Sequence, residues 1–195
     1  MELTTRLGKE LIQRQAIIVL YNHLNTKIAE MNGVWAQEDA DFYSALNLGN
    51  VDFFVEPIED FNFYAGTIPS LINAPIENYP NVCAICYFGN VPSSSDDTGE
   101  LYNATLGIEI MVKSLDSEQE VNSRIQKTLD AVHLTFMDSL ENRTLNNTIL
   151  SLNAPVSSVG DVFARREKTS HGDRWYWQGG ALQYTVNKYV NFSQS

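Results

Sequence analysis

Cys83-Ala-Ile-Cys86 has the spacing of thiol redox centres and of half a zinc site, so it is the first place where this chain could do chemistry. A redox pair of this kind works at a helix N-terminus, where the dipole lowers the thiol pKa. Here both cysteines fall inside Val82–Phe88, a strand-like run whose residues three apart face opposite ways. A structural zinc needs four ligands, and His23, His133 and His171 carry no ligand spacing, so the cysteines read as reduced and structural, with no metal and no cofactor expected. His133 lies beside an apolar helical stripe as a half-buried edge residue, and His23 falls on the polar side of its helix. His171 and Asp173 share a Gly-containing turn, which is ordinary turn composition. A phosphate-cradling P-loop, a G-x-S-x-G elbow and an H-E-x-x-H pair are all missing from the sequence, and no catalytic residue is assigned. Trp175-Tyr176-Trp177 places two indoles on one strand face, where they suit core or subunit packing better than a ligand platform.

The elements that position these residues are clearest in the second half. Residues 105–113 alternate Leu106, Ile108, Ile110 and Val112 with Thr105, Gly107, Glu109, Met111 and Lys113, the period of a half-buried strand. Ser117 with Glu120 forms a capping box that opens a helix, and its stripe is Val121, Ile125, Leu129, Val132, Phe136 and Leu140. Residues 159–167 and 174–190 read as two further strands joined by a turn, with Gly179-Gly180 marking a bulge or a close backbone approach. The first half begins with a predicted helix from Leu3 to Met31, its core face made of Leu7, Leu11, Ile18, Tyr21, Leu24 and Ile28, stopped by Asn32-Gly33. Residues 34–80 combine many aromatics with Pro57, Pro69, Pro75 and Pro80, which predicts an ordered, loop-rich elaboration with short strands. Val91 to Glu100 reads as a mobile Ser/Asp connection.

At 195 residues and 44% hydrophobic, the chain suits one elaborated domain. No apolar run reaches the roughly 20 residues that cross a bilayer, and no signal-like segment follows Met1, so a soluble protein made in the cytoplasm is expected, without a membrane partner. The sequons at Asn103, Asn142, Asn146 and Asn191 then carry little weight. Charge is unevenly spread. Residues 1–30 hold 4 basic and 3 acidic groups, residues 31–120 hold 1 and 15, and residues 121–195 hold 8 and 6, giving +1, −14 and +2 and a total of −11. A stretch of that length with Lys113 as its one cation repels phosphates and is the reverse of a nucleic-acid-binding footprint.

The run Leu106-Gly-Ile-Glu-Ile-Met-Val112, then Arg124-Ile125 and Leu129-Asp-Ala-Val132, then Trp177-Gln-Gly-Gly-Ala-Leu-Gln-Tyr-Thr-Val186, resembles the tail terminator, or tail completion, proteins of long-tailed bacteriophages. The first helix and Tyr79-Pro80-Asn81-Val82 also fit. The resemblance implies an α+β fold, a mainly antiparallel sheet with helices packed on one face. To this the chain adds a loop-rich aromatic and acidic elaboration at about residues 34–100 within a single domain spanning 1–195. It implies a structural virion protein, not an enzyme, that forms a homo-hexameric ring in the tail or neck after assembly in the host cytoplasm. Its partners would be further copies of itself, the tail tube protein and the head-tail connector or stopper, with DNA passing through unbound. On that reading Asp96, Asp97 and Glu100 are expected to line the channel, and Trp175, Trp177 and Tyr184 to form the subunit interface. The alternatives are another neck or baseplate component, or a small ligand-binding α/β protein or enzyme that uses the aromatic elaboration as a pocket.

Overall fold

In the computed structural model, residues 8–49, 54–65, 81–88, 93–95, 99–115, 118–144, 150–152, 164–168 and 174–191 are described. They form helices α1 (Gly8–Ala45), α2 (Glu118–Met137) and the single turn α3 (Leu140–Arg143), with a 3-10 turn at Asp60–Asn62. The strands are β1 (Phe63–Ala65), β2 (Val82–Phe88), β3 (Ser93–Ser95), β4 (Gly99–Leu115), β5 (Leu150–Leu152), β6 (Ala164–Lys168) and β7 (Arg174–Asn191). They pair in the order β1-β2-β4-β7-β5, with β3 on β4 and β6 on β7. Every pairing is antiparallel except that of β1 with β2. The fold is therefore the expected α+β arrangement of a mainly antiparallel sheet covered by helices.

Its spine is the pairing of β4 with β7, in register from Gly99 opposite Asn191 to Leu115 opposite Trp175. Directly opposed residues share a face, so Leu106, Ile108 and Ile110 of β4 lie on the side of Tyr184, Leu182 and Gly180 of β7. The helix α2 lies on this side, and its Val121, Ile125, Leu129, Val132 and Phe136 are all buried, as their spacing predicts. Leu140 leaves the stripe. The helix ends at Met137, and Ser139 caps a new turn by accepting the Asn142 N–H at 3.0 Å, which leaves Leu140 66% exposed. Asn142 is buried and donates to the Thr135 carbonyl, so this sequon does not present its amide to solvent.

The first helix departs most from the sequence reading. It runs through Asn32-Gly33 to Ala45, twelve residues into the segment expected to be loop-rich. Gly33 sits in open space, and a solvent-facing helical glycine costs about 1 kcal/mol relative to alanine. Tertiary contacts on both sides of it offset that cost. Asn32 bonds the backbone of Val55, Trp35 is 5% exposed, and Asp39 accepts from Lys127 of α2 at 2.6 Å. The stop comes instead at Asn47, whose φ of 56° is left-handed. There the Leu48 N–H reaches the Tyr43 carbonyl and the Asn47 N–H the Ser44 carbonyl, the paired bonds of a Schellman cap. The buried face is also rotated from the expected one. Ala16, Val19, Leu20, Leu24 and Ile28 are buried, while Ile18 and Tyr21 are exposed, Tyr21 resting edge-on against Phe63. The unbroken apolar run Ala16–Tyr21 offers more than one face to a helix, and packing selects one of them.

Three contacts fix α1 antiparallel to α2: Lys27 with Asp138, Asp39 with Lys127, and Tyr43 with Gln119. The strand over Val82–Phe88 is found as expected, and β7 closely matches its predicted bounds. Ser93–Ser95, expected within a mobile connection, pairs with Glu100–Tyr102 as a short strand. The strand expected at 159–167 is described only over Ala164–Lys168, and β5 was not anticipated. Leu3 to Leu7 and the capping residue Ser117 lie outside the described residues.

Candidate functional site

The possible chemistry of the cysteines is set by β2. Cys83 stands opposite Ile110, and Ile85 opposite Ile108, but Tyr87 stands opposite Gly107, so Cys86 is the extra residue of a β-bulge. The period-two argument that separates the two thiols onto opposite faces does not run across that bulge. Among the described residues no three His, Cys, Asp or Glu side chains come together to hold a metal ion, while His171 and Asp173 lie outside them.

His133 is half-buried at the helix edge, as its position in α2 implies, with Nδ1 3.2 Å from the Tyr184 hydroxyl and its ring stacked on the phenol. Tyr184 has no exposed surface, and Phe136 meets its ring edge-on. Burial raises the Tyr184 pKa well above that of a free phenol, which holds it protonated. Three residues before His133, partial burial raises the Asp130 pKa, with His133 pulling it down and Glu38 of α1 pushing it up. The phenol is sealed in the core, so its contact with His133 belongs to the packing of α2 on β7.

Lys27 and Lys127 tie the two helices together, while Arg124 ties α2 to the sheet. Lys127 donates to Asp39 and lies 5.9 Å from the Trp35 ring centroid. Arg124 pairs with Glu120 at 2.7 Å and donates to the Lys113 carbonyl. Lys27 pairs with Glu30 and Asp138, whose hydrogen bonds raise its pKa.

Two asparagines carry a contact that no spacing rule anticipates. Asn25 donates to the Ile58 carbonyl at 2.7 Å and accepts the Ile58 N–H at 2.9 Å, and Asn32 does the same for Val55 at 3.0 Å in both directions. Each side-chain amide stands in for a neighbouring strand, so residues 54–59 are held along α1 with Val55 and Ile58 buried. The spacings of seven residues on the helix and three on the strap are visible only once the two are side by side.

The expected interface residues do not form one patch. Trp175 and Trp177 lie on the sheet face turned away from the helices, where Trp177 is opposite both Lys113 and Arg165. Trp177 is 5% exposed and Trp175 is half-buried, with the Lys113 ammonium 5.1 Å from its ring centroid. Met111 and Ala181 share this face and are also buried, so the β4–β7 ribbon is covered on both sides at its middle rather than being half-buried. Tyr184 occupies the helix-facing side and is a core residue. Of the expected channel residues, Asp96 and Asp97 lie outside the described residues, and Glu100 sits between Ser95 and Val190 at the far end of the sheet.

The surface feature that remains is the end of α1. Phe42, Leu46 and Leu48 are 58%, 54% and 59% exposed, beside the exposed carboxylates of Glu38 and Asp41. The last turn of α1 carries no basic residue, and the helix C-terminus adds its own negative dipole end.

No family model and no curated protein matches the chain. Among solved structures it is similar to a chain described as "Virion of native gene transfer agent (GTA) particle", with 14% identity over 66% of this chain and 80% of that one and a TM-score of 0.31.

Proposed function

We propose that this chain is a structural virion protein of a tailed phage or phage-like particle, forming a homo-hexameric ring that caps the tail tube and joins it to the head connector. The observation that carries the reading is the central place of the strand–helix–strand unit on which the family resemblance rests. That unit, β4, α2 and β7, is the molecule's core, with Ile125 and Leu129 seated against Gly180. The ion pairs Lys27–Asp138 and Lys127–Asp39 tie α1 to the end and the body of α2, which suits a component whose work is assembly. The acidic middle suits the wall of a channel that DNA passes without sticking, and Asp96, Asp97 and Glu100 are the proposed lining.

Light scattering after size exclusion, together with particle imaging, tests this reading. A ring of six copies is expected, either alone or on tail tubes, with residues 93–100 at the central opening. A chain that remains monomeric alone and with tube and connector sinks the ring, and a map with residues 93–100 on the outer rim removes the channel role.

A further inference from the structure

We propose that the overhanging end of α1 docks a basic amphipathic segment of a partner protein, whose apolar residues cover Phe42 and Leu46 and whose lysines or arginines face Glu38 and Asp41. This contact rests on the assembly reading above and names the chemistry of the partner.

The apolar stripe of α1 continues past the core. Leu24, Ile28 and Trp35 are buried, and steps of seven and then four residues from Trp35 lead to Phe42 and Leu46 on the same side of the helix, yet both are exposed. The reason is where α2 begins. Tyr43 of α1 already meets Gln119 in the first turn of α2, so among the described residues no helix lies beneath the last turn of α1. A single exposed leucine is ordinary, whereas two large side chains in phase with a core stripe, with Leu48 just beyond them, make an apolar contact face. Phe42 is held in place by an edge-on contact with the Tyr43 ring.

The charge around this face selects its occupant. Glu38 stands one turn before Phe42, and Asp41, which accepts the Gln37 amide at 2.8 Å, stands next to it. Lys127 is committed to Asp39, and among the described residues no cation pairs with Glu38 or Asp41. Glu38 is also within electrostatic reach of the exposed Asp130 on α2, and the two carboxylates repel each other. The other charged neighbour of Asp130 is His133, whose Nδ1 lies at the Tyr184 hydroxyl. The C-terminal end of the helix dipole adds to the negative field, with no basic residue in the last turn to offset it. Apolar side chains rimmed by carboxylates are complementary to a segment that carries cations around an apolar centre. The same field repels a nucleic acid or an anionic lipid surface. A second copy turning this face toward the first would set Glu38 and Asp41 against their own equivalents.

Titration of the full chain with a fluorescent synthetic helix of leucine and lysine, read by anisotropy at low salt, tests the contact. The wild-type chain should bind this peptide, and should bind neither the counterpart with glutamate for lysine nor the one with serine for leucine. Phe42→Ser/Leu46→Ser should weaken binding at least about tenfold, as loss of central apolar anchors does. Leu46→Ser alone serves if the double variant melts early. Glu38→Gln/Asp41→Asn should weaken binding about fivefold, on the order of two exposed ion pairs, and flatten its salt dependence. Glu59→Gln/Asp60→Asn makes the same charge change beside the exposed Phe61 and should leave binding unaltered. A chain that does not bind the leucine–lysine helix overturns the inference, as does equal weakening by the Glu59/Asp60 pair, which would reduce the effect to net charge. Self-association of the wild type that Leu46→Ser abolishes assigns the face to a second copy instead, and cosedimentation with phosphatidylcholine vesicles that Leu46→Ser abolishes assigns it to lipid; either overturns the inference. The ring itself is decided separately, by imaging on tail tubes.

Discussion

Replacing Gly180 by alanine probes the seam on which the whole molecule depends. A Cβ at this position would stand 2.6 Å from Ile125 Cγ2 and 3.0 Å from Leu129 Cδ1, where relaxed carbon contacts lie at about 3.5–4.0 Å. Both neighbours belong to α2, so the methyl group must push the helix off the sheet or force its side chains from their rotamers. Overpacking of this kind costs about 1–3 kcal/mol, and removing a glycine from a strand returns about 0.5–1 kcal/mol. The net loss is therefore about 1 kcal/mol, or roughly 2–4 °C in Tm for a chain of this size. Thermal and denaturant unfolding of Gly180→Ala and of Ile125→Ala, singly and together, separates the terms. The Ile125→Ala change alone should cost about 2–5 kcal/mol. In that background Gly180→Ala should become neutral or slightly stabilising, a coupling of about 1–2 kcal/mol. If Gly180→Ala costs the same in both backgrounds, or stabilises the wild-type chain, the close approach of α2 to β7 does not constrain this position.

Asn32→Ala removes two bonds to Val55 and should destabilise by about 1–3 kcal/mol, read from denaturant midpoints. A change within 0.5 kcal/mol of zero, on the order of an ordinary surface substitution, would show that the amide clamp holds nothing. Asp130 is a pH probe. Its folded pKa is raised above the ordinary value of 3.8, so folding favours the protonated form, and lowering the pH through the folded pKa stabilises the native state until the unfolded group also protonates. Asp130→Asn should therefore raise Tm at pH 7, with a gain that shrinks on acidification and is gone below about pH 3.8; a gain independent of pH would assign it to something other than this carboxylate.

The sequence by itself determined the elements whose partners are their own near neighbours. Residues two apart on β4 and β7 and three or four apart on α2 share a face, so Leu106–Val112 and Val121–Phe136 announce the element type and the faces that meet each other, though not that the far side of β4 is covered as well. Trp175 and Trp177 face away from Tyr184 because β7 runs unbroken through Gly179-Gly180, where the sequence allowed either a bulge or a close approach. The acidic bias of residues 31–120 was equally legible, being a count. Only the tertiary structure decided how far α1 runs, because the local stop at Asn32-Gly33 is overruled by Val55, Lys127 and the packing of Trp35, partners remote in sequence. It likewise decided which face of the apolar run Ala16–Tyr21 is buried. A single strand or helix carries the period of its own backbone; the neighbour it meets is set by chain closure over long separations, and that enters only with the fold.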